Sequence, residues 1–174
     1  EQKWLQAAAQ SEAKQILEAK AKQQQMEAEA ARKEAEAEER VLKSKFKDNG
    51  DGTVTDTRNG LIGLKNANCF SERWKDAMTA THNLSSGFCG LSDGSKAGDW
   101  RLPTKDELTI LLDWKKSGAF SGVQTFYYWS GSTDASDTSS AWAVSLANVN
   151  YANGNVNYNG KSNVHCVWPV RGGQ

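Results

Sequence analysis

The chain has 174 residues, with 21 Lys plus Arg and 21 Asp plus Glu, so its formal net charge at pH 7 is zero. Positively and negatively charged residues also balance in each half of the chain. This excludes a protein that binds nucleic acid by simple electrostatic attraction, because counterion release requires clustered cations. No apolar run approaches the length of a membrane span, and the first residues lack the apolar core of a signal peptide. We therefore expect a soluble chain with no membrane span and no nucleic-acid partner.

The composition changes abruptly near Ser44. Residues 1–45 contain no Gly, Pro, Cys, His, Phe or Tyr, whereas all 15 glycines and all three cysteines lie in residues 46–174. Two kinds of structure are joined at this point. We predict a helical segment over residues 1–45 and a globular domain over residues 46–174.

Residues 1–45 consist almost entirely of Ala, Glu, Gln, Lys and Arg, which favour one continuous helix about 68 Å long at 1.5 Å per residue. A heptad register gives an apolar seam through Leu5, Ala9, Ile16, Ala19, Met26, Ala30 and Ala37. Charged residues such as Glu12 and Lys33 interrupt that register. The helix is therefore expected either to pair with copies of itself, in a trimer for example, or with a helical partner, or to stand as a solvated stalk supported by its own ion pairs.

The first half of the second segment contains signals for a hairpin and two helices. Thr53–Asp56 is a short alternating stretch and Leu61–Leu64 is a short apolar one, and a turn containing Asn59-Gly60 separates them, which predicts a β-hairpin. Residues 72–84 carry apolar side chains at helical spacing. Thr104 and Glu107 form a capping box that predicts a second helix, with Leu108, Leu111 and Leu112 facing inward.

Short strands are predicted in the remainder of the segment. Residues 126–129, 141–146 and 164–170 are rich in aromatic and β-branched residues and are bounded by Gly, Ser, Asn or Asp. Two helices followed by several short strands indicate an α+β domain with mostly antiparallel pairing, preceded by the long N-terminal helix.

The cysteines suggest one disulfide. Cys69 and Cys89 flank the first predicted helix of the domain, and a bridge between them would close a loop of about 20 residues. Two buried free thiols are the alternative, and Cys166 is left over in either case. A disulfide would favour an extracellular or cell-surface location, although a cytoplasmic chain with three thiols is also compatible with the sequence.

No catalytic motif is recognisable. His165 and Cys166 are adjacent, but neighbouring residues on a strand point to opposite faces and do not form a nucleophile and base pair. The chain also has no phosphate-loop or H-E-x-x-H sequence. We therefore expect a protein that is not an enzyme and needs no cofactor.

The loop D-N-G-D-G at residues 48–52 resembles a calcium loop but lacks the ligands of an EF-hand. With Gly52 as the sixth position, Lys47 and Arg58 occupy positions that need carboxylates. A looser calcium site using Asp48, Asp51 and Asp56 remains the alternative to a plain hairpin turn.

Residues 148–163 are unusual, because seven of these 16 residues are asparagine, of only twelve in the chain. Asn and Tyr together provide many hydrogen-bonding groups and flat, rigid contact area, a mixture that antibody recognition surfaces use. We predict a polar hairpin with turns at Asn153-Gly154 and Asn159-Gly160 that presents a ligand-binding face. The candidate ligand-binding residues are Trp129, Asn148, Asn150, Tyr151, Asn153, Asn155, Asn157, Tyr158, Asn159, Lys161, Asn163 and His165.

Four motifs in order resemble a known family. They are F-K-D-N-G-D-G-T-V-T-D at residues 46–56, G-D-W-R-L-P-T at 98–104, Y-W-S-G-S at 128–132 and V-W-P-V-R at 167–171. The resemblance, which covers residues 46–174, is to the family named after the C-terminal domain of the Legionella collagen-like adhesin. It implies a C-type lectin-like fold, similar also to the formylglycine-generating-enzyme fold. The namesake is a trimeric adhesin that binds sulfated glycans, but within residues 148–163 only Lys161 is charged.

Some members of this fold resemble targets of diversity-generating retroelements, which randomise adenine-containing codons near the C-terminus. Tyr151, Tyr158, Gly160, His165 and Cys166 are all reachable from an asparagine codon by changes at adenine, so the resemblance implies a variable recognition surface on a fixed scaffold. The resulting hypothesis is a non-enzymatic recognition module for a protein or glycan ligand. The alternative is a structural assembly subunit whose long helix is the main interface.

Overall fold

The computed structural model describes residues 2–147 and 155–173, and contacts divide the chain into two compact units, Glu1–Arg40 and Val41–Gln174. The first unit is most of a single helix, α1, which runs over Gln2–Lys43. Every side chain described between residues 10 and 41 is exposed. Ion pairs one turn apart, such as Lys33 with Glu29 at 2.7 Å, support the helix locally. None of the described helices has the length and apolar content needed to cross a membrane.

The second unit has an α+β architecture, as the sequence predicted. Its described residues form nine strands, two helices and a short 3-10 turn. The strands are β1 (Phe46–Asp48), β2 (Thr53–Asp56), β3 (Leu61–Leu64), β4 (Phe70–Arg73), β5 (Tyr127–Thr133), β6 (Ser140–Ser145), β7 (Asn155–Gly160), β8 (Val164–Val167) and β9 (Val170–Gly172). The helices are α2 (Trp74–Asn83) and α3 (Ile110–Ser117), and the 3-10 turn at Glu107–Thr109 leads into α3.

The strands form two sheets that share the last part of the chain. A four-stranded sheet has the order β1-β2-β3-β9, and a five-stranded sheet has the order β4-β8-β5-β6-β7. All pairs are antiparallel except β5 with β8. β8 lies inside the second sheet and β9 completes the first, so the two residues between them, Trp168 and Pro169, connect the two sheets.

Trp168 occupies the centre of the core at this connection. Its side chain is fully buried, and its indole nitrogen donates a hydrogen bond to the Leu64 carbonyl oxygen at 2.9 Å. The rings of Trp114 and Phe120 stack at 4.6 Å between centroids, and both meet Trp168 edge-on at 5.4 and 5.1 Å. Tyr128 of β5 lies 5.5 Å from the same indole. Aromatic packing therefore joins both sheets to α3.

The G-D-W-R-L-P-T motif performs a structural task, with Trp100 and Leu102 buried. Arg101 exchanges two backbone hydrogen bonds with Val170, and its guanidinium binds both carboxylate oxygens of Glu107 at 2.7 and 2.8 Å. Glu107 also completes the predicted capping box, because it accepts from the Thr104 amide while its own amide donates to the Thr104 hydroxyl. Burial tends to raise the pKa of Glu107, but the hydrogen bonds from Arg101 and Thr104 lower it overall.

The predicted local elements of the domain are confirmed with small shifts. The β2–β3 hairpin forms over the predicted residues, the first domain helix begins two residues later than expected, at Trp74, and Leu108, Leu111 and Leu112 are buried. The strand expected over residues 164–170 is two strands, because Trp168 and Pro169 leave the ladder and turn the chain toward the other sheet.

Gly63 of β3 offers a direct test of this packing. A Cβ atom added at Gly63 would lie 2.1 Å from the Trp114 ring. We expect Gly63→Ala to lower the free energy of unfolding by about 1–3 kcal/mol, because the core cannot admit the added methyl group without moving Trp114. Chemical denaturation followed by tryptophan fluorescence measures the change.

Gly131→Ala is the matched control. Gly131 also lies in a strand, but the nearest atom to an added Cβ would be 3.6 Å away, which is ordinary contact. We expect this variant to change the free energy of unfolding by less than about 0.5 kcal/mol. Equal destabilisation of the two variants would contradict the tight contact assigned to Gly63.

Candidate ligand-binding surface

The part of the Asn-rich stretch that the structure describes forms β7, the outermost strand of the five-stranded sheet. β7 pairs with β6 in an unshifted antiparallel register in which Tyr158 lies opposite Trp142, Asn157 opposite Ala143 and Val156 opposite Val144. Successive side chains of a strand point to opposite faces of its sheet. Tyr158 and Val156 therefore share a face with Trp142, and Asn157 lies on the other face.

Tyr158, Trp142 and Lys105 form an accessible aromatic and cationic cluster. Tyr158 is 60% exposed. Its ring meets the Trp142 ring at right angles with 6.0 Å between centroids, and the Lys105 Nζ lies 3.5 Å from the centre of the same indole. The Lys105 amide donates to the Ser132 hydroxyl on β5, which fixes the backbone of this lysine. The cluster thus combines a rigid aromatic contact with a positive charge.

Lys161 holds the end of β7 against α2 and the neighbouring loops. Its Nζ donates to the Thr138 carbonyl oxygen at 2.7 Å and to the Thr133 hydroxyl at 3.2 Å, and it lies 4.2 Å from the centre of the Trp74 ring. Its carbonyl oxygen accepts from the Trp74 amide at 3.2 Å. Although Lys161 was predicted to bind ligand, its described contacts give it a positioning role.

The predicted asparagines divide into three groups. Asn157 and Asn163 are exposed and Asn159 is partly buried. Asn157 and Asn159 lie on the face of β7 opposite to Tyr158, and Asn163 lies in the turn that follows β7, so these side chains surround the edge strand on both faces. Asn155 begins β7. The other predicted residues lie outside the described residues, namely Asn148, Asn150, Tyr151 and Asn153. We use the name β7 surface for the described side chains of Lys105, Trp142, Asn157, Tyr158, Asn159 and Asn163.

The structure corrects the prediction for Trp129 and His165, because both side chains are buried and neither belongs to the exposed surface. Trp129 lies on a central strand and packs with Ala77 and Leu102, and its indole nitrogen donates to the Glu72 carbonyl oxygen at 3.0 Å. The His165 ring packs against Trp129 at a tilt of 44°, with 4.3 Å between centroids. Helix α2 supplies Ala77, so a face that could have been open to ligand is covered.

The predicted turn at Asn159-Gly160 is also wrong. Both residues belong to β7 and pair with Ala141 and Ser140. The turn comes after them, where the Asn163 amide donates to the Gly160 carbonyl oxygen at 2.9 Å. Because Lys161 is held by Thr138 and Thr133, the ladder extends through Gly160 and displaces the turn. The other predicted turn, at Asn153-Gly154, lies outside the described residues.

The three aspartates considered for calcium have separate partners. Asp48 pairs with Lys65 at 2.6 Å, and Asp51 accepts from the Thr53 amide and hydroxyl. Asp56 is buried and accepts from Arg58 and from the Trp114 indole nitrogen. Within residues 2–147 and 155–173, no group of three or more His, Cys, Asp or Glu side chains is placed to hold a metal ion. These contacts support the plain-turn interpretation of the D-N-G-D-G loop.

The cysteines are arranged as the disulfide hypothesis proposed. Cys69 and Cys89 are bonded, with their Cα atoms 5.9 Å apart, and the bridge closes the segment that contains α2. Cys166 is free and buried beside Tyr128. Burial raises the pKa of the Cys166 thiol, which keeps it protonated and unreactive at neutral pH.

Sequence reasoning missed Trp142 and Lys105. Trp142 lies between two small residues, Ala141 and Ala143, and nothing local distinguishes it from a core tryptophan. Only the β6–β7 register brings it against Tyr158. Lys105 approaches from the segment before α3, more than thirty residues away in sequence. A strand alignment that paired residues 141–146 with the Asn-rich segment could have found Trp142, but no signal pointed to Lys105.

His165 predicts a pH dependence of stability. Burial lowers its pKa below the ordinary value of 6.5, and its Nε2 is buried with no hydrogen-bond partner among the residues that the structure describes. The unfolded chain therefore binds a proton at higher pH than the folded chain, so stability is complete above about pH 6.5 and falls as the pH drops below it. We expect the free energy of unfolding, measured by urea denaturation, to decrease between about pH 7 and pH 5.

His165→Gln removes the titrating group and should flatten the profile in that pH range. The carboxylates with lowered pKa values, including Asp56 and Glu107, lose their contribution only at lower pH, because their ordinary values are 3.8 and 4.5. A profile of His165→Gln as steep as that of the unaltered protein between pH 7 and pH 5 would assign the effect to another group.

Comparison with known proteins gives a family assignment. A family model described as the Lcl C-terminal domain matches residues 52–171, which is more than half of the chain and includes every strand from β2 to β8. A search of curated proteins finds no match. The matched range contains the four-motif pattern that suggested the resemblance, apart from the first residues of its first motif, and it indicates an adhesin-like surface domain. The chain belongs to the Lcl C-terminal domain family.

Proposed function

We propose that the protein is a non-enzymatic recognition module that binds a protein or glycan ligand through the β7 surface. The observation that carries the proposal is the exposure of Tyr158, which is 60% accessible although it lies in a regular strand and already contacts Trp142. Large aromatic side chains held rigidly at a surface lose little conformational entropy when a ligand binds. Tyr158 is therefore the principal contact of the site.

The β7 surface recognises its ligand by stacking and by several hydrogen bonds. Tyr158 supplies a flat apolar area and a phenol group, and the amides of Asn157 and Asn163 each donate and accept. Lys105 adds a positive charge beside Trp142, so the surface is less neutral than the sequence of residues 148–163 indicated. A ligand with hydroxyl or amide groups and a planar or apolar portion matches this chemistry.

We infer that the rest of the domain is a C-type lectin-like scaffold that displays the β7 surface outside the cell. The Cys69–Cys89 disulfide suits an oxidising compartment. If the chain is diversified, the burial of His165 and Cys166 makes them poor positions for change, because substitution there disturbs the core. Tyr158 and Asn157 are exposed and tolerate change, so diversification would be concentrated on β7.

Substitution of the β7 surface tests the proposal. The full chain is screened against a glycan array and a phage-displayed library of random peptides, and binders are measured by biolayer interferometry. We expect Tyr158→Ala to weaken binding at least tenfold, as for a central aromatic contact at an interface. Asn157→Ala should weaken it less, and the oligomeric mass should not change.

Phe88→Ala is the matched control, because Phe88 is another exposed aromatic, 65% accessible, and lies outside the β7 surface. It should leave affinity unchanged. The proposal fails if neither probe yields a binder, or if Phe88→Ala and Tyr158→Ala affect binding equally.

A second candidate function is assembly through α1. Ile16 and Met26 are 51% and 63% exposed and belong to the predicted heptad register. On this proposal, copies of the helix bury these side chains against each other, and a trimer gains avidity for a repeated ligand.

Charge insertion separates assembly from recognition. Ile16→Glu combined with Met26→Glu should reduce the mass measured by sedimentation to that of a single chain, because the charges would be buried in the seam. Leu17→Glu is the control, since Leu17 is 69% exposed but lies outside the register. A single-chain mass for the unaltered protein, or an equal effect of all the substitutions, would exclude assembly through this seam.

A further inference from the structure

The outer edge of β7 carries backbone hydrogen-bonding groups that no other described strand uses. β7 is the last strand of its sheet, and among the described residues none pairs with it on the side away from β6. In an antiparallel pair, residues alternate between those that bond their neighbour and those whose amide and carbonyl groups point away from it. The orientation of each β7 residue can therefore be assigned from the bonds that continue the ladder.

Two such bonds give the same assignment. The Lys161 amide donates to the Ser139 carbonyl oxygen at 2.9 Å, just beyond the β6–β7 ladder. The Leu146 amide donates to the Phe126 carbonyl oxygen at 3.0 Å, on the β5 side of β6. The orientation of the backbone groups alternates from one residue to the next along an antiparallel strand. Both bonds therefore imply that the amide and carbonyl groups of Val156 and Tyr158 point away from β6. These groups form a row of donors and acceptors along the outer edge.

Within residues 2–147 and 155–173, the other sheet edges are protected and β7 is not. β1 and β9 have three residues each and β4 has four. Charged side chains lie on all three, and β9 also exchanges backbone bonds with Arg101. β7 has six residues, no charge, no proline and an unshifted register. Long, regular and uncharged edge strands are normally avoided in natural proteins because they pair with other strands.

We propose that the β7 edge binds an extended polypeptide segment of a protein ligand, which adds a strand beside Val156 and Tyr158. This inference rests on the proposed function and identifies the ligand class as an extended peptide. Backbone groups of the added strand pair with the outward amide and carbonyl groups of β7, which gives affinity with little dependence on sequence.

Side chains next to the edge determine which peptides fit. One face of the added strand lies beside Tyr158, where an aromatic or β-branched side chain packs well. The other face lies beside Asn157 and Asn159, where polar side chains form hydrogen bonds with the amides. The preferred segment therefore alternates apolar and polar residues, without proline at positions that donate to β7.

The test uses peptides selected by the full chain from a phage-displayed library. A selected peptide is synthesised unmodified and in two forms N-methylated at alternate residues, one form for each edge of the extended peptide. Because only one edge pairs with β7, one N-methylated form should lose at least tenfold in affinity and the other should bind within about threefold of the parent. Equal affinities of the two forms would overturn the proposal, as would failure to select any peptide.

A pair of protein variants tests the same contact from the other side. Val156→Pro removes an outward amide, which an edge strand tolerates, whereas Val156→Ala makes a similar change of side chain and keeps the amide. Both variants should retain the folded circular dichroism spectrum. Val156→Pro should weaken peptide binding at least tenfold relative to Val156→Ala. Folded variants with equal affinity would contradict the proposed pairing.

Amide hydrogen exchange determines whether the edge is free before ligand binds. The Tyr158 amide of the unliganded protein should exchange faster than the Ala143 amide, which faces β7 within the ladder, and peptide should slow it. Slow exchange without peptide at low protein concentration would show that the edge is already paired. Slowing that requires dimer formation would identify a second copy of the chain as the occupant. Either result overturns the proposal. Binding to glycans but to no peptide would also overturn it, and would leave the proposed recognition function intact.

Discussion

The domain depends on the packing of Trp168 where the chain passes from one sheet to the other. This indole contacts Trp114, Phe120 and Tyr128 and hydrogen-bonds the backbone of β3. A small domain built from strands of three to seven residues gains little from any single ladder. One large, fully buried ring shared by both sheets compensates, because it contributes apolar burial to each of them at the same time.

β7, which carries the proposed binding surface, is an edge strand whose Tyr158 is exposed, although its Val156 is partly buried against the main core. β7 contacts the rest of the sheet through β6 and is held at its end by Lys161. Trp142 mediates between the two regions, since it packs partly against the main core and also supports the Tyr158 ring. Side chains at the outer edge can consequently differ between relatives without disturbing the buried rings, and the backbone that presents them remains in place.

Sequence reasoning succeeded where the determining contacts are local. The Thr104 and Glu107 capping box lies within four residues, and the cysteine pair flanks one short helix, so spacing alone was informative. It failed where burial depends on distant segments. The sequence predicts one aromatic strand over residues 126–129, and only the position of α2 shows that Trp129 is covered. Likewise, the register with β6 determines that Asn159 continues a strand instead of beginning a turn.

The arrangement of strands also constrains when the domain can fold. β8 lies between β4 and β5, and β9 completes the sheet that begins with β1, so residues 164–172 are needed by both sheets. During synthesis neither sheet can close until those residues have left the ribosome.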